Sequence, residues 1–253
     1  MTVKIGTIGD RIANRLSRAF PGPTSEIAPA RPIVSFSFDD APRSAWRDGA
    51  AILEAAGGRG TYYLAGDLIL NHARELDLTP AEGCVDLAAR GHELGCHTFS
   101  HVKLASMSRK ALAADLDRNE RFLRELDGRT ARRNFAVPYT MMSPGRQALL
   151  RSRFRSSRSG WPAVNRGMTN LQGLGAVELR QSLFDPDAIA AWLDDLARRP
   201  GWLIFFTHHV RDNPPGDYGL SPQNFEAAVN AVAARGFDIL TVDAALDRIG
   251  IAR

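Results

Sequence analysis

Between residues 33 and 242 short apolar runs alternate with longer amphipathic stretches, and this alternation constrains the fold more than any other feature. The runs are "IVSFSF", "TYYLAG", "HELGCH", "RNFAVPY", "FRSSRS", "AVEL", "WLIFFTH" and "DILTV". Several are rich in β-branched and aromatic residues and bounded by turn formers, as strands are. The stretches between them carry helix punctuation. Ser44 is placed to cap a helix through Ala56, and Thr79 one through Arg90 ahead of Gly91. Ser108 is placed to cap a long helix through Leu126 ahead of Gly128. Further helices are expected over 186–198 and over 222–235, the latter stopped by Gly236. Strands separated by helices run parallel, because a parallel pair needs a long crossover. The expected fold class is therefore α/β. The number of units favours a distorted (β/α)7-8 barrel over an open doubly wound sheet. No GxGxxG follows the first run, so a dinucleotide fold has no support.

The 253 residues suffice for one large core. We expect residues 1–30 to form an amphipathic helix and linker, and residues 31–253 a single barrel domain. Ile8, Ile12, Leu16 and Phe20 recur every fourth residue, with Arg11, Arg15 and Arg18 on other faces. The favoured reading of that helix is packing on the domain; the alternative is a peripheral membrane contact through residues 4–20. The net charge of +4 comes from scattered Lys and Arg, which argues against nucleic acid as a partner. Cys84 and Cys96 are too few for a disulfide framework and are expected to be buried, reduced thiols. No signal-peptide core and no apolar run of about 18 residues is present, so no transmembrane segment is expected. The expected location is cytoplasmic, with the inner-membrane surface as the alternative.

In a parallel barrel, functional groups collect at the carboxyl ends of the strands. The first run ends in two adjacent acids, Asp39 and Asp40. The third is followed by "HTFSH", with His97 and His101 four residues apart. A helical turn over Thr98 to His101 would place both imidazoles on one face. Two imidazoles and one carboxylate form a three-ligand set for a catalytic zinc-like ion, leaving the second acid free to act as a base. Alone, each motif is common: paired acids cap turns, and HxxxH decorates surfaces. Their joint placement at two strand ends is the informative observation. His208 and His209 end the seventh run, and Pro138-Tyr139 end the fourth. Tyr139 and Trp161 are candidate stacking surfaces for a ring.

These residues resemble the polysaccharide deacetylase family, with the NodB homology domain of carbohydrate esterase family four, over roughly residues 31–245. "SFDD" is similar to its first motif, which implies Asp39 as catalytic base and Asp40 as metal ligand. "HTFSH" is similar to the second, which implies His97 and His101 as ligands. "FAVPY" resembles the third, which shapes the groove around Pro138 and implies a backbone N–H at Tyr139 for the oxyanion. "IFFTH" resembles the fifth, which implies His208 as general acid. The chain also departs from the pattern. Ala41 stands where the family usually has Gly, and Ala136 where it often has Arg; the fourth motif's Asp-Trp is not evident, although "SRSGWPAVN" offers Trp161. Arg158 is the candidate replacement for the missing Arg. His209 stands where relatives often carry Asp, and is expected to face outward.

The resemblance implies metal-dependent removal of an N-acetyl or O-acetyl group from a glycan or sugar-containing precursor, with release of acetate. The implied cofactor is a divalent ion, Zn2+ first, with Co2+, Ni2+ or Mn2+ also compatible with the ligand set. Two alternatives stand beside it: an amidase of a small non-sugar amide or cyclic imide, and a non-catalytic glycan-binding or membrane-associated scaffold.

Overall fold

The computed structural model describes residues 22–143 and 145–252. The expected N-terminal helix, with its membrane contact, lies outside the described residues. Each of the eight apolar runs contains a strand: β1 (Ile33–Asp39), β2 (Thr61–Leu64), β3 (Glu93–Cys96), β4 (Phe135–Ala136), β5 (Ser157–Arg158), β6 (Val177–Glu178), β7 (Trp202–Thr207) and β8 (Asp238–Ile239). The helices are α1 (Ala50–Ala55), α2 (Gly66–Asn71), α3 (Ala81–Ala89), α4 (Arg109–Asp127), α5 (Gln147–Arg153), α6 (Pro186–Arg198), α7 (Pro222–Ala233) and α8 (Val242–Ile249). The order across the sheet is β5-β4-β3-β2-β1-β7-β6, with β8 beside β1, and these pairings are parallel. Leu174, just before β6, forms a parallel bridge with Arg158 of β5. That bridge closes the ring, and the fold is the expected distorted barrel.

Alternation decides what faces where. On β1, Val34, Phe36 and Phe38 pack outward against helices through Leu53, Phe225 and Val229. Ser35, Ser37 and Asp39 turn inward and are buried. The interior is unusually polar for a barrel, which branched aliphatic side chains ordinarily fill. Tyr63 of β2 lies across it. A Cβ at Gly95 on the neighbouring strand would sit 2.5 Å from the Tyr63 ring, so glycine there is a packing requirement. The other side of the interior is apolar: Leu174, Ala176, Trp202, Ile204 and Phe206 cluster with Val242 and Leu246 of α8.

The long helix follows its signals. The Ser108 hydroxyl accepts from the Ala111 N–H (3.1 Å), and Gly128 ends α4 in the left-handed region at φ 68°. Two expected caps are corrected. Ser44 has helical dihedrals and makes no cap bond; a π-helical turn over Ala45–Gly49 runs on into α1. Its hydroxyl accepts instead from the Val210 N–H (3.1 Å). The Thr79 hydroxyl donates to the Pro42 carbonyl (3.2 Å), and Pro80 takes the N-cap of α3. Both side chains tie neighbouring strand-end loops together rather than starting helices. Cys84 and Cys96 are free and buried, and burial pushes both thiols up to about 12. No helix among the described residues is long and apolar enough to cross a membrane.

Candidate active site

β1 ends in a sharp turn. Asp40 and Ala41 both occupy the left-handed region, at φ 60° and 46°. Such residues cost about 1–3 kcal/mol each and persist only where the surroundings hold them. Here the Thr79 N–H donates to the Ala41 carbonyl (2.9 Å), and Pro42 bridges Leu78. The turn aims Asp40 at two imidazoles. Its Oδ1 lies 3.2 Å from His101 Nε2 and 3.8 Å from His97 Nε2.

The route to that geometry differs from the helical turn expected over Thr98 to His101. Thr98 and His101 are themselves left-handed, at φ 63° and 46°. Asp115 of α4 holds the segment by accepting from the Phe99 N–H (2.7 Å), the Ser100 N–H (3.2 Å) and the Ser100 hydroxyl. The histidines are brought together by this clamped loop.

Three atoms here suit a cation. The His97 Nδ1–H donates to the Ala136 carbonyl (2.8 Å), which fixes the tautomer and leaves the Nε2 lone pair facing Asp40. Burial, foremost, pushes His97 down to about 4, which keeps the ring neutral. Asp40 Oδ1 is buried, yet makes no hydrogen bond among the described residues. One ligand atom from each of Asp40, His97 and His101 lies within 4.8 Å of the others. A buried carboxylate oxygen facing two imidazole nitrogens without a hydrogen bond fits a divalent ion, and an N2O donor set is one that zinc and its neighbours accept.

Asp39 is partnered differently. Arg158 Nη2 donates to Asp39 Oδ1 in an ion pair that is almost wholly buried. The guanidinium lies 4.3 Å from the Phe206 ring centroid and 5.2 Å from that of Tyr63. Burial is the largest influence on Asp39 and raises its pKa. The charge of Arg158, foremost among the opposing influences, and its hydrogen bond hold the carboxyl below its ordinary value. A buried carboxylate that stays ionised is the result.

Above the two acids opens a cavity of about 790 Å³. Asp39, Asp40, His97, His101, Tyr139 and His208 all line it. Tyr139 sits at φ 59° after Pro138; its hydroxyl donates to the His101 carbonyl (3.3 Å), and its ring centroid lies 4.8 Å from that of His101. His208 Nδ1 is buried with no hydrogen-bond partner among the described residues.

A family model described as polysaccharide deacetylase matches residues 27–151. Over those residues the chain matches the polysaccharide deacetylase family. A comparison with curated protein sequences returns no match. Among solved structures, the chain is similar to a putative polysaccharide deacetylase from Mycobacterium smegmatis, at 16% identity over 90% of this chain and 95% of that one, with a TM-score of 0.66. It is also similar to a family 4 acetyl xylan esterase from Clostridium thermocellum in complex with a cobalt ion, at 17% identity over 87% and 93%, with a TM-score of 0.60. A third is the peptidoglycan deacetylase PdaC from Bacillus subtilis, at 15% identity over 88% and 93%, with a TM-score of 0.55. At such identities the likeness is one of fold.

Within this barrel three expectations are corrected. Trp161 is 51% exposed and is not among the residues that line the cavity. Pro138 is buried and shapes the turn that presents Tyr139 without lining the cavity itself. His209 faces the cavity and not outward, because β7 ends at Thr207 and the chain bends at His208. Its Nδ1 lies 3.5 Å from the Ser44 hydroxyl, and burial, then the neighbouring His208, pushes it down to about 4. Sequence reasoning missed Tyr218, Arg180 and Glu178 in the lining. Glu178 closes β6 and was visible only as the end of a short apolar run; Tyr218 follows a loop with no motif of its own.

Proposed function

We propose that the chain is a divalent-metal-dependent hydrolase that removes the acetyl group from an N-acetylated sugar, free or within a glycan. The observation that carries this reading is the unequal partnering of two adjacent acids. Asp40 faces His97 and His101, while Asp39 is bound to Arg158. Asp40, His97 and His101 would hold the ion, which when bound supplies Lewis acidity for the acetyl carbonyl and for the attacking water.

The chain's own residues supply the rest. Asp39, ionised and fixed by Arg158, accepts a proton from water as the new C–O bond forms. We assign the Tyr139 N–H, at its left-handed turn, to the tetrahedral oxyanion. His208 donates a proton to the amide nitrogen as the C–N bond breaks. Its Nδ1 is buried and unpartnered, so we assign that donation to the Nε2 side of the ring. The products are acetate and a free amine.

Acetate release across N-acetylated sugars, O-acetylated sugars and simple N-acetyl amines, measured with the metal content known, tests the reading. Release from sugars in proportion to bound metal is expected. Hydrolysis of small amides or cyclic imides alone would replace it with the amidase reading. A fully metal-loaded protein that releases nothing would overturn both.

A further inference from the structure

The catalytic reading does not use Tyr218, and no sequence motif points to it. Its position is nevertheless built. The Tyr218 carbonyl accepts from the His209 N–H (3.0 Å), and the Arg180 guanidinium lies 4.7 Å from its ring centroid. Arg180 is held in turn by Glu178, at 2.8 Å. The loop packs so closely that a Cβ at Gly219 would lie 2.4 Å from the His209 carbonyl oxygen. The Tyr218 ring centroid lies 5.4 Å from that of His208.

Topology sets Tyr218 against Tyr139. Tyr218 follows β7 and packs at a tilt against His208, whereas Tyr139 follows β4 and packs at a tilt against His101. In the strand order β1, which ends in Asp39, lies between β7 and β4, so the two tyrosines follow strands on opposite sides of the one that carries the acids. Both line the cavity. The charged groups on its rim are largely matched. Arg180 pairs with Glu178 at 2.8 Å, and Arg211 with Asp77 at 3.2 Å. Two amphipathic aromatic faces with a charge-balanced rim suit an uncharged, ring-shaped ligand whose C–H faces stack and whose hydroxyls stay wet.

We infer that Tyr218 and Tyr139 form the two walls of a slot for the closed pyranose ring that carries the scissile acetamide, which makes Tyr218 a specificity-determining residue. This rests on the deacetylase reading above. It separates a cyclic sugar from a linear N-acetyl amine, which offers no ring for the slot to hold.

The test compares the N-acetylated hexose cleaved fastest in the acetate screen with the open-chain alditol obtained by reducing it. The two share the acetamide and differ in the ring. The metal-loaded wild type should prefer the ring by about tenfold or more in kcat/KM, carried by KM. Tyr218→Leu should bring that ratio near parity, and Tyr139→Leu should do the same from the opposite wall. Tyr218→Phe, which keeps the stacking face, should retain the preference. An unchanged ratio in both leucine variants, each shown to hold wild-type metal, would overturn the slot and leave the deacetylase reading standing. Failure of the metal-loaded wild type to cleave any N-acetylated sugar would overturn both.

Discussion

The barrel contains two buried polar clusters, one at its floor and one at its mouth, and their hydrogen bonding differs. At the floor, where the strands begin, Glu93 is saturated. Its oxygens accept from the Thr61 hydroxyl (2.8 Å), the Asn134 amide (2.7 Å) and the Asp243 N–H (2.8 Å). Arg129 and Arg155 pair with Asp243 beside it. At the mouth, Asp40 Oδ1, Thr98 Oγ1 and His208 Nδ1 are buried with no hydrogen-bond partner among the described residues. A buried polar atom left unmatched costs about 1–3 kcal/mol. The floor carboxylates avoid that cost, although Arg129 Nε and Arg155 Nε beside them are buried without a hydrogen-bond partner among the described residues. The mouth bears it at Asp40 itself, beside left-handed Asp40, Ala41, Thr98, His101 and Tyr139. A carboxylate that only holds the fold together is matched by donors. One that must receive an ion leaves an oxygen open to it.

Arg158 is the sharpest place to break this contrast, because it stabilises the fold and belongs to the site at once. Arg158→Met leaves Asp39 buried without its closest charge partner. Loss of one partner of a buried pair costs about 3–5 kcal/mol, readable by denaturant unfolding. The pH dependence should change as well. In the wild type the Asp39 pKa is held below its unfolded value. Its contribution to stability is complete above that unfolded value and is lost as pH falls through the lower folded one. With Arg158 gone, burial should raise the Asp39 pKa, so that protonation relieves the unpartnered charge. The stability deficit of the variant should therefore be largest near neutral pH and shrink as pH falls, and acetate release at neutral pH should drop.

At the floor, Glu93→Gln turns an accepting oxygen into an NH2 that faces a donor. We expect a loss of about 1–3 kcal/mol by denaturant unfolding. Metal content and acetate release per folded molecule should not change. A floor variant that lost metal would break the separation of the two clusters. The smallest effect concerns the thiols. Cys84 and Cys96, buried and pushed up to about 12, should resist a thiol reagent in the native protein and react only after unfolding. Fast native labelling would contradict their burial.

Much of this was legible in the sequence because it depends on local pattern. The strand runs, the Ser108 cap, the Gly128 stop and the clustering of Asp39, Asp40, His97, His101, Tyr139 and His208 all follow from residue type and strand ends. What was not legible depends on contacts between distant segments. The spacing of His97 and His101 suggested a helical turn, but Asp115, fourteen residues beyond His101, clamps a loop instead. Arg158 lies on a two-residue strand, and only closure of the barrel carries it to Asp39, 119 positions earlier. Trp161 was an attractive platform by residue type, yet it is exposed and is not among the residues that line the cavity. Tyr218 enters through the packing of its loop on His209, which no short-range pattern encodes.

The central claim is that the two adjacent aspartates divide the work, and paired measurements of bound metal and acetate release on Asp39→Asn and Asp40→Asn test it most directly. Asp39→Asn should keep its metal and lose about 10² to 10⁴ in rate, the usual worth of a positioned base, with no rescue by added metal. Asp40→Asn should lose metal and activity together and recover in part when metal is supplied in excess, because an amide oxygen is a weaker ligand than a carboxylate. Equal rescue of both variants by metal, or full activity in Asp39→Asn, would contradict the account.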